Sequence, residues 1–205
     1  RLAGVHATDW SWGALIFDMD NDGLKDIFVA NGIYKELLNQ DYINFASSHE
    51  LLEDIRRKKK GIILQLIDSI PSTPLGNYSF QNVGNLSFAN TSDAWGLGQP
   101  TYSNGSAYGD LDNDGDLDLV LNNVNMPSFV YENRSKELHP EHNTLSFSLH
   151  GEQENMFALG TKITLKLGNE MIYHEASPMR GFMSTVDNRI HVGLGKRNSV
   201  DTVWV

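Results

Sequence analysis

The stretch FDMDNDGLKD, residues 17–26, sets four aspartates, Asp18, Asp20, Asp22 and Asp26, directly behind the apolar run ALIF. GDLDNDGDLD at 109–118 repeats the arrangement with Asp110, Asp112, Asp114 and Asp118, and adds Asp116. Aligning the aspartates lays 12–31 over 104–123, with Gly13 on Gly105, Gly23 on Gly115 and Asn31 on Asn123. ALIF leads into the first loop, and DIFVAN and DLVLNN lead out of the two loops with β-branched and large apolar residues, so each unit reads as strand, acidic turn, strand. A β unit that repeats itself points to a propeller or a solenoid. The separation of the copies is too long for one blade, so a segment must be inserted between them.

Like charges this close repel strongly in any partly desolvated site unless a cation sits among them. Calcium takes several oxygen ligands at about 2.3–2.6 Å, and a D-x-D-x-D-G-x-x-D loop delivers them from alternate positions while its glycine permits the sharp turn. In the first loop the donors are the carboxylates of Asp18, Asp20, Asp22 and Asp26 with the Leu24 carbonyl; in the second they are Asp110, Asp112, Asp114 and Asp118 with the Asp116 carbonyl. Oxygen donors without His or Cys favour calcium over zinc. An EF-hand requires a glutamate at loop position 12 and flanking helices, whereas Val29 and Leu121 stand there and the flanks are strand-like. ALIFDMD also has the look of a haloacid-dehalogenase phosphatase, with Asp18 as nucleophile and Asp20 as acid/base; recurrence of the motif at 110 argues against it, as does Asp22 at the usual Thr or Val position. Two solvated acidic turns that bind nothing are the plainer alternative.

The formal net charge of −10 is concentrated in these loops, and it argues against nucleic acid or an anionic membrane surface as partner. Without cysteine the 205-residue chain has neither disulfides nor thiol chemistry, so bound cations would supply its cross-links. GIILQLI, its longest apolar run, is far short of the roughly 20 residues that span a bilayer, so no membrane-spanning helix is expected. The chain starts at Arg1 and stops in the strand-like VDTVWV, which suggests a piece of something longer.

Residues 40–70 read as the insert: SSHELLEDIRRKKKGIILQLIDSIP carries a capping box at Ser47 and Glu50, apolar positions at helical spacing, a break at Gly61 and a stop at Pro71. The basic run Arg56–Lys60 reads as a solvated helix face. Residues 77–97 read as two short strands around a turn at Val83–Asn85. From 144 the texture changes to alternating strands separated by glycine turns, with 135–143 as linker. His139 and His142 form an H-x-x-H in that linker, His174 and His191 lie in strands, and Trp10, Trp12, Trp95 and Tyr108 serve packing or sugar stacking. Five N-x-S sequons occur, at Asn77, Asn85, Asn90, Asn104 and Asn133. Serine nucleophile elbows, phosphate-binding glycine loops and HExxH are absent, so no catalytic set is expected.

GALIFDMDNDGLKDIFVANG and GSAYGDLDNDGDLDLVLNN resemble the FG-GAP or VCBS repeat of integrin alpha subunits and bacterial surface proteins, whose blades bind calcium in the hairpin between two strands. The tail, NMFALGTKITLKLGN through RGFMSTVDNRIHVGLGKRNSVDTVWV, resembles the ASPIC and UnbV domain that follows such repeats in cartilage acidic protein and bacterial relatives. Gly160, Gly181, Ser184, Asp187, Gly193, Leu194, Gly195 and Trp204 fall on that pattern, whereas Asn155–Ala158 depart from its usual Asn-Arg-Asp-Gly run. The expectation is an all-β chain with a helical insertion: partial β-propeller blades over 1–134, insert at about 40–70, then a small β-sandwich-like domain over 144–205. Two blades cannot close a ring of roughly four to eight, so further blades are expected N-terminal in the parent chain. The resemblance implies a non-enzymatic, calcium-stabilised module for adhesion or ligand binding with two calcium sites, exported to the periplasm, cell surface or extracellular space, with a protein or glycan as partner. A carbohydrate-binding module, or an accessory part of a propeller-based hydrolase or lyase, is the alternative.

Overall fold

A computed structural model describes residues 3–181 and 183–205. The first hairpin pairs β1 (Ser11–Phe17) with β2 (Asp26–Asn31). Along β1, Gly13, Leu15 and Phe17 point inward and the residues between them outward, the period-2 pattern of a half-buried strand.

The insert follows as α1 (Gln40–Ala46), α2 (His49–Arg56) and α3 (Ile62–Asp68). Asn39 caps α1 by accepting from the Tyr42 amide at 3.0 Å. The capping box expected at Ser47 and Glu50 does not form: Ser48 caps α2 through the Leu51 amide, while the Ser47 hydroxyl donates back to the Ile43 carbonyl and closes α1. Gly61, at φ +84°, breaks the chain before α3 as its glycine suggests. The basic run expected on a helix face mostly lies past the end of α2: only Arg56 is in the helix, Arg56 and Arg57 pair with Glu53, and Lys59 pairs with Asp54. The neck of the insert closes where the Glu36 amide donates to the Pro71 carbonyl.

The chain then forms β3 (Leu75–Gly76), β4 (Tyr78–Asn82), β5 (Phe88–Asn90), β6 (Pro100–Thr101), β7 (Ser103–Gly109), β8 (Asp118–Asn123) and β9 (Phe129–Tyr131). These strands make a four-stranded antiparallel sheet β1-β2-β4-β5, a three-stranded sheet β7-β8-β9 and a small pair β3-β6. The β7–β8 hairpin copies β1–β2: Ser103 opposes Asn123 as Ser11 opposes Asn31, Gly109 opposes Asp118 as Phe17 opposes Asp26, and each hairpin has a bulge at the same place. Strands β1 and β7 pack side by side, and no closed ring of sheets forms among the described residues.

One apolar core joins the two sheets: Leu15, Phe17, Met19, Phe28 and Ala30 from the first repeat meet Leu117, Leu119 and Leu121 from the second, with Leu97 between. Below it runs a buried polar chain. Asn77 accepts from the Asn31 amide and donates to Thr101 and Ser103, and Ser103 donates to Asn123 at 2.8 Å. Buried polar groups must find such partners, so this network fixes the sheets in one register. The sequon at Asn77 is thereby explained as architecture, since its side chain is enclosed.

The expected linker contains a single helical turn, α4 (Ser135–Leu138). Beyond it, β10 (Asn143–Phe147), β11 (Lys162–Leu167), β12 (Glu170–Glu175), β13 (Ile190–Gly195) and β14 (Thr202–Trp204) form the sheets β10-β13 and β12-β11-β14. They enclose a separate core of Ile163, Leu165, Leu167, Ala176, Ile190, Val192 and Leu194. Because Leu121 is fully buried in the core that joins the repeats, Leu121→Ala is expected to cost about 2–5 kcal/mol, measured by urea denaturation.

Candidate metal centres

Each acidic loop turns through two left-handed residues. Asn21 and Asn113 have φ of +59° and +62°, and Gly23 and Gly115 have φ of +94° and +98°. The sequence repeat is therefore a conformational repeat, and glycine holds the second position because a Cβ is disfavoured there. Carboxylate oxygens of Asp18, Asp20 and Asp22 come within 4.8 Å of one another, and those of Asp110, Asp112 and Asp114 do the same.

Asp26 and Asp118 are held differently. Asp26 accepts from the Met19 amide at 2.9 Å and the Asn82 amide at 2.8 Å; Asp118 accepts from the Leu111 amide at 2.9 Å and the Asn133 amide at 2.8 Å. Each ties its own loop to the end of a neighbouring strand or the segment after it. The Asp116 side chain is enclosed and accepts from Asn21 Nδ2 at 2.7 Å and the Lys136 amide at 2.6 Å, so it links the second loop to the first and to α4. It also groups with Asp114 and Glu137. Leu24 stands exposed on the rim of the first loop.

Burial pushes the Asp18 carboxyl up to about 8, with Asp22, Asp20 and Asp26 adding repulsion against hydrogen bonds from its own loop. Burial likewise raises Asp26 to about 7, and raises Asp22 and Asp114. In the second loop Asp110 Oδ1 is buried without a hydrogen-bond donor among the described residues. Oxygen-only donors, mutual repulsion and an orphaned carboxylate oxygen fit a hard divalent cation. Asp18, Asp20 and Asp22 would hold one and Asp110, Asp112 and Asp114 another; the ion would supply charge neutralisation and a cross-link.

Strand β13 and Arg189 just before it meet the two loops, which sequence reasoning missed. Asn21 Oδ1 accepts from His191 Nε2 at 2.8 Å, and the Asn21 carbonyl accepts from the Gly195 amide at 3.0 Å. The Asp116 carboxylate can only accept, so it turns the Asn21 amide nitrogen toward itself and leaves Oδ1 for His191. In the second loop Arg189, just before β13, donates to Asn113 Oδ1 at 3.2 Å and to the Asp110 carbonyl at 2.9 Å. A Cβ at Gly193 would overlap the Asp18 carboxylate, and one at Gly195 would lie 2.7 Å from the Asp22 carbonyl oxygen. The available signal was the spacing of two glycines, Gly193 and Gly195, within one strand.

Residues 151–205 match the ASPIC and UnbV family. No curated protein matches the chain. The ASPIC and UnbV segment thus includes Arg189, His191, Gly193 and Gly195, the residues that meet the acidic loops. Within it, Asn155 makes a local turn with Leu159, and Met156 and Phe157 are exposed. Its strand β10 partner begins before the matched segment, at Asn143.

The lesser candidates resolve into packing. His142 Nδ1 donates to the Asp20 carbonyl at 2.8 Å and its ring stacks on His139, so the H-x-x-H pair covers the first loop. Tyr108 stacks on Phe17 at 4.4 Å, Trp95 packs on the joint core, and Trp12 donates to the Gly32 carbonyl. His174 and His191 are both pushed down to about 4, mainly by burial, and stay neutral at pH 7. Asn133, another sequon, donates to the Met19 and Leu117 carbonyls and so bridges the two loops.

Two outcomes follow from this geometry. A carboxyl raised in the folded state favours folding while protonated and loses that advantage as pH rises through its folded value. In chelator, thermal stability is therefore expected to fall between about pH 4 and pH 8, and saturating calcium is expected to flatten that fall, as scanning calorimetry across the range would read. Gly193→Ala is expected to destabilise the chain by about 1–3 kcal/mol in chemical denaturation, because β13 or the Asp18 loop must shift.

Proposed function

We propose that the protein is a calcium-stabilised, non-enzymatic binding module of the extracellular, periplasmic or cell-surface space. The observation that carries this reading is the pair of acidic loops with one backbone path, each converging three carboxylates within 4.8 Å under partial burial. In this reading the two joined sheets are FG-GAP or VCBS-type propeller blades, supported by the shared register and bulge of the two hairpins. Further blades of a longer parent chain complete the ring.

Calcium acts structurally: it binds the folded loops and not the unfolded chain, so it stabilises the fold by mass action. Because β13 rests on the loops, the ion also sets how the C-terminal sheets sit on the blades. Sites of this kind are filled at the calcium levels found outside the cytoplasm, even at weak affinity. The partner is an extracellular protein or glycan.

The test is thermal melting with 2 mM calcium and with chelator, a concentration of about the order that extracellular modules require. A melting point several degrees higher in calcium is expected, and the gain should vanish in Asp22→Ala with Asp114→Ala. Asp26→Asn should lower the melting point in both conditions, because it removes an acceptor from the Met19 and Asn82 amides with or without the ion. Equal melting points with calcium and chelator would remove the reading.

A further inference from the structure

Between the first blade and the C-terminal domain lies a cleft of about 390 Å³, within the size range of small-molecule sites. Its walls include Ala14, Ile16 and Phe17 from β1, Asp18, Gly23 and Lys25 from the first acidic loop, Tyr108 from β7, and Arg180 with the stretches 175–178 and 186–193. The first acidic loop forms one of its edges, and basic side chains, Lys25, Arg180 and Arg189, stand among its acidic ones.

Two cations face it without a carboxylate partner among the described residues. The Arg180 guanidinium donates to the Met179 carbonyl at 2.8 Å and to the Tyr108 hydroxyl, two neutral acceptors. The Lys25 carbonyl accepts from Asn82 Nδ2, but its ammonium forms neither a hydrogen bond nor an ion pair among the described residues. Burial and the Arg180 charge hold Lys25 below the ordinary lysine value, and both cations help to keep His174 neutral. The acidic groups on the walls are otherwise engaged or marginal. Asp187 pairs with Arg189 at 2.6 Å, the Asp18 oxygens accept from the Asp22 and Gly23 amides, and Glu175 is an exposed strand residue. In a chain of net charge −10, two converging cations left unneutralised beside an aromatic ring are an arrangement that a ligand anion would complete.

We propose that this cleft binds a small organic carboxylate, with Arg180 and Lys25 on the carboxylate group and Tyr108 and Ile16 against its carbon skeleton. Arg180 is already held in place by Met179 and Tyr108, so little side-chain freedom is lost on binding. The inference extends the binding-module reading to a named site at the edge of the first acidic loop.

The experiment uses acid and amide pairs as probes, D-glucuronate against D-glucuronamide and benzoate against benzamide, followed by saturation-transfer NMR on the full chain in calcium. At least one acid is expected to bind while its amide does not. Arg180→Gln and Lys25→Met should each weaken that acid by about tenfold or more, the scale of one lost charge-assisted hydrogen bond. Arg180→Gln, which lies outside the loops, is checked for an unchanged calcium-dependent melting shift, which separates this site from the loops. If no acid is preferred to its amide, or if the double variant binds the acid as the parent does, the proposal is overturned even where the calcium shift persists.

Discussion

The Asp18 carboxylate lies between the backbone of its own loop and the glycine backbone of β13, so close to Gly193 that a Cβ there would overlap it. Asp20 and Asp22 share that space, and carboxylate oxygens from all three fall within 4.8 Å. Two unit charges at about 4 Å repel by roughly 4 kcal/mol in a partly desolvated site, a sizeable share of a domain's stability of about 5–15 kcal/mol. The fold answers this stress with backbone amides aimed at Asp18 and Asp22, and with carboxyls raised toward neutrality. The C-terminal domain is seated on the same spot, so the charge state of one loop bears on the placement of a whole second sheet.

Near-identical loop sequences sit in two environments. The first loop is roofed by Gly193, Gly195 and His142, and its asparagine is fully enclosed between Asp116 and His191. The second is more open and has cations at its rim: Lys136 Nζ donates to the Asp114 carbonyl, and Arg189 reaches the Asp110 carbonyl and Asn113. Asn21 and Asn113 therefore occupy the same left-handed position and meet different partners, one a neutral imidazole and the other a guanidinium. Repetition in the chain fixes the turn, while the neighbour that each turn receives comes from the non-repeated C-terminal half.

Much of the architecture was legible because it rests on local rules. The acidic hairpins, the break at Gly61 and the alternating strands after 144 follow from period-2 patterning and turn chemistry, and the structure has them where the residues put them. The capping box expected at Ser47 and Glu50 is replaced by a simple serine cap at Ser48, because Ser47 is used to close the preceding helix. Among the candidate ligands, Asp18, Asp20, Asp22, Asp110, Asp112 and Asp114 converge, whereas Asp26 and Asp118 direct their oxygens to amides from distant segments. An aspartate's spacing cannot announce that choice, since the amides belong to Asn82 and Asn133, far along the chain.

The sequence by itself determined that two strand–turn–strand units recur, that their turns crowd carboxylates, and that glycines stand where the backbone must turn left-handed. Tertiary structure alone decided which carboxylates face one another, that β13 seals the first loop, and that Lys25 and Arg180 share a cleft with Tyr108. The division has one physical reason. Backbone conformation and strand periodicity are set by neighbours a few residues apart, whereas desolvation, hydrogen-bond partnership and charge pairing depend on which distant segment comes to lie against the loop.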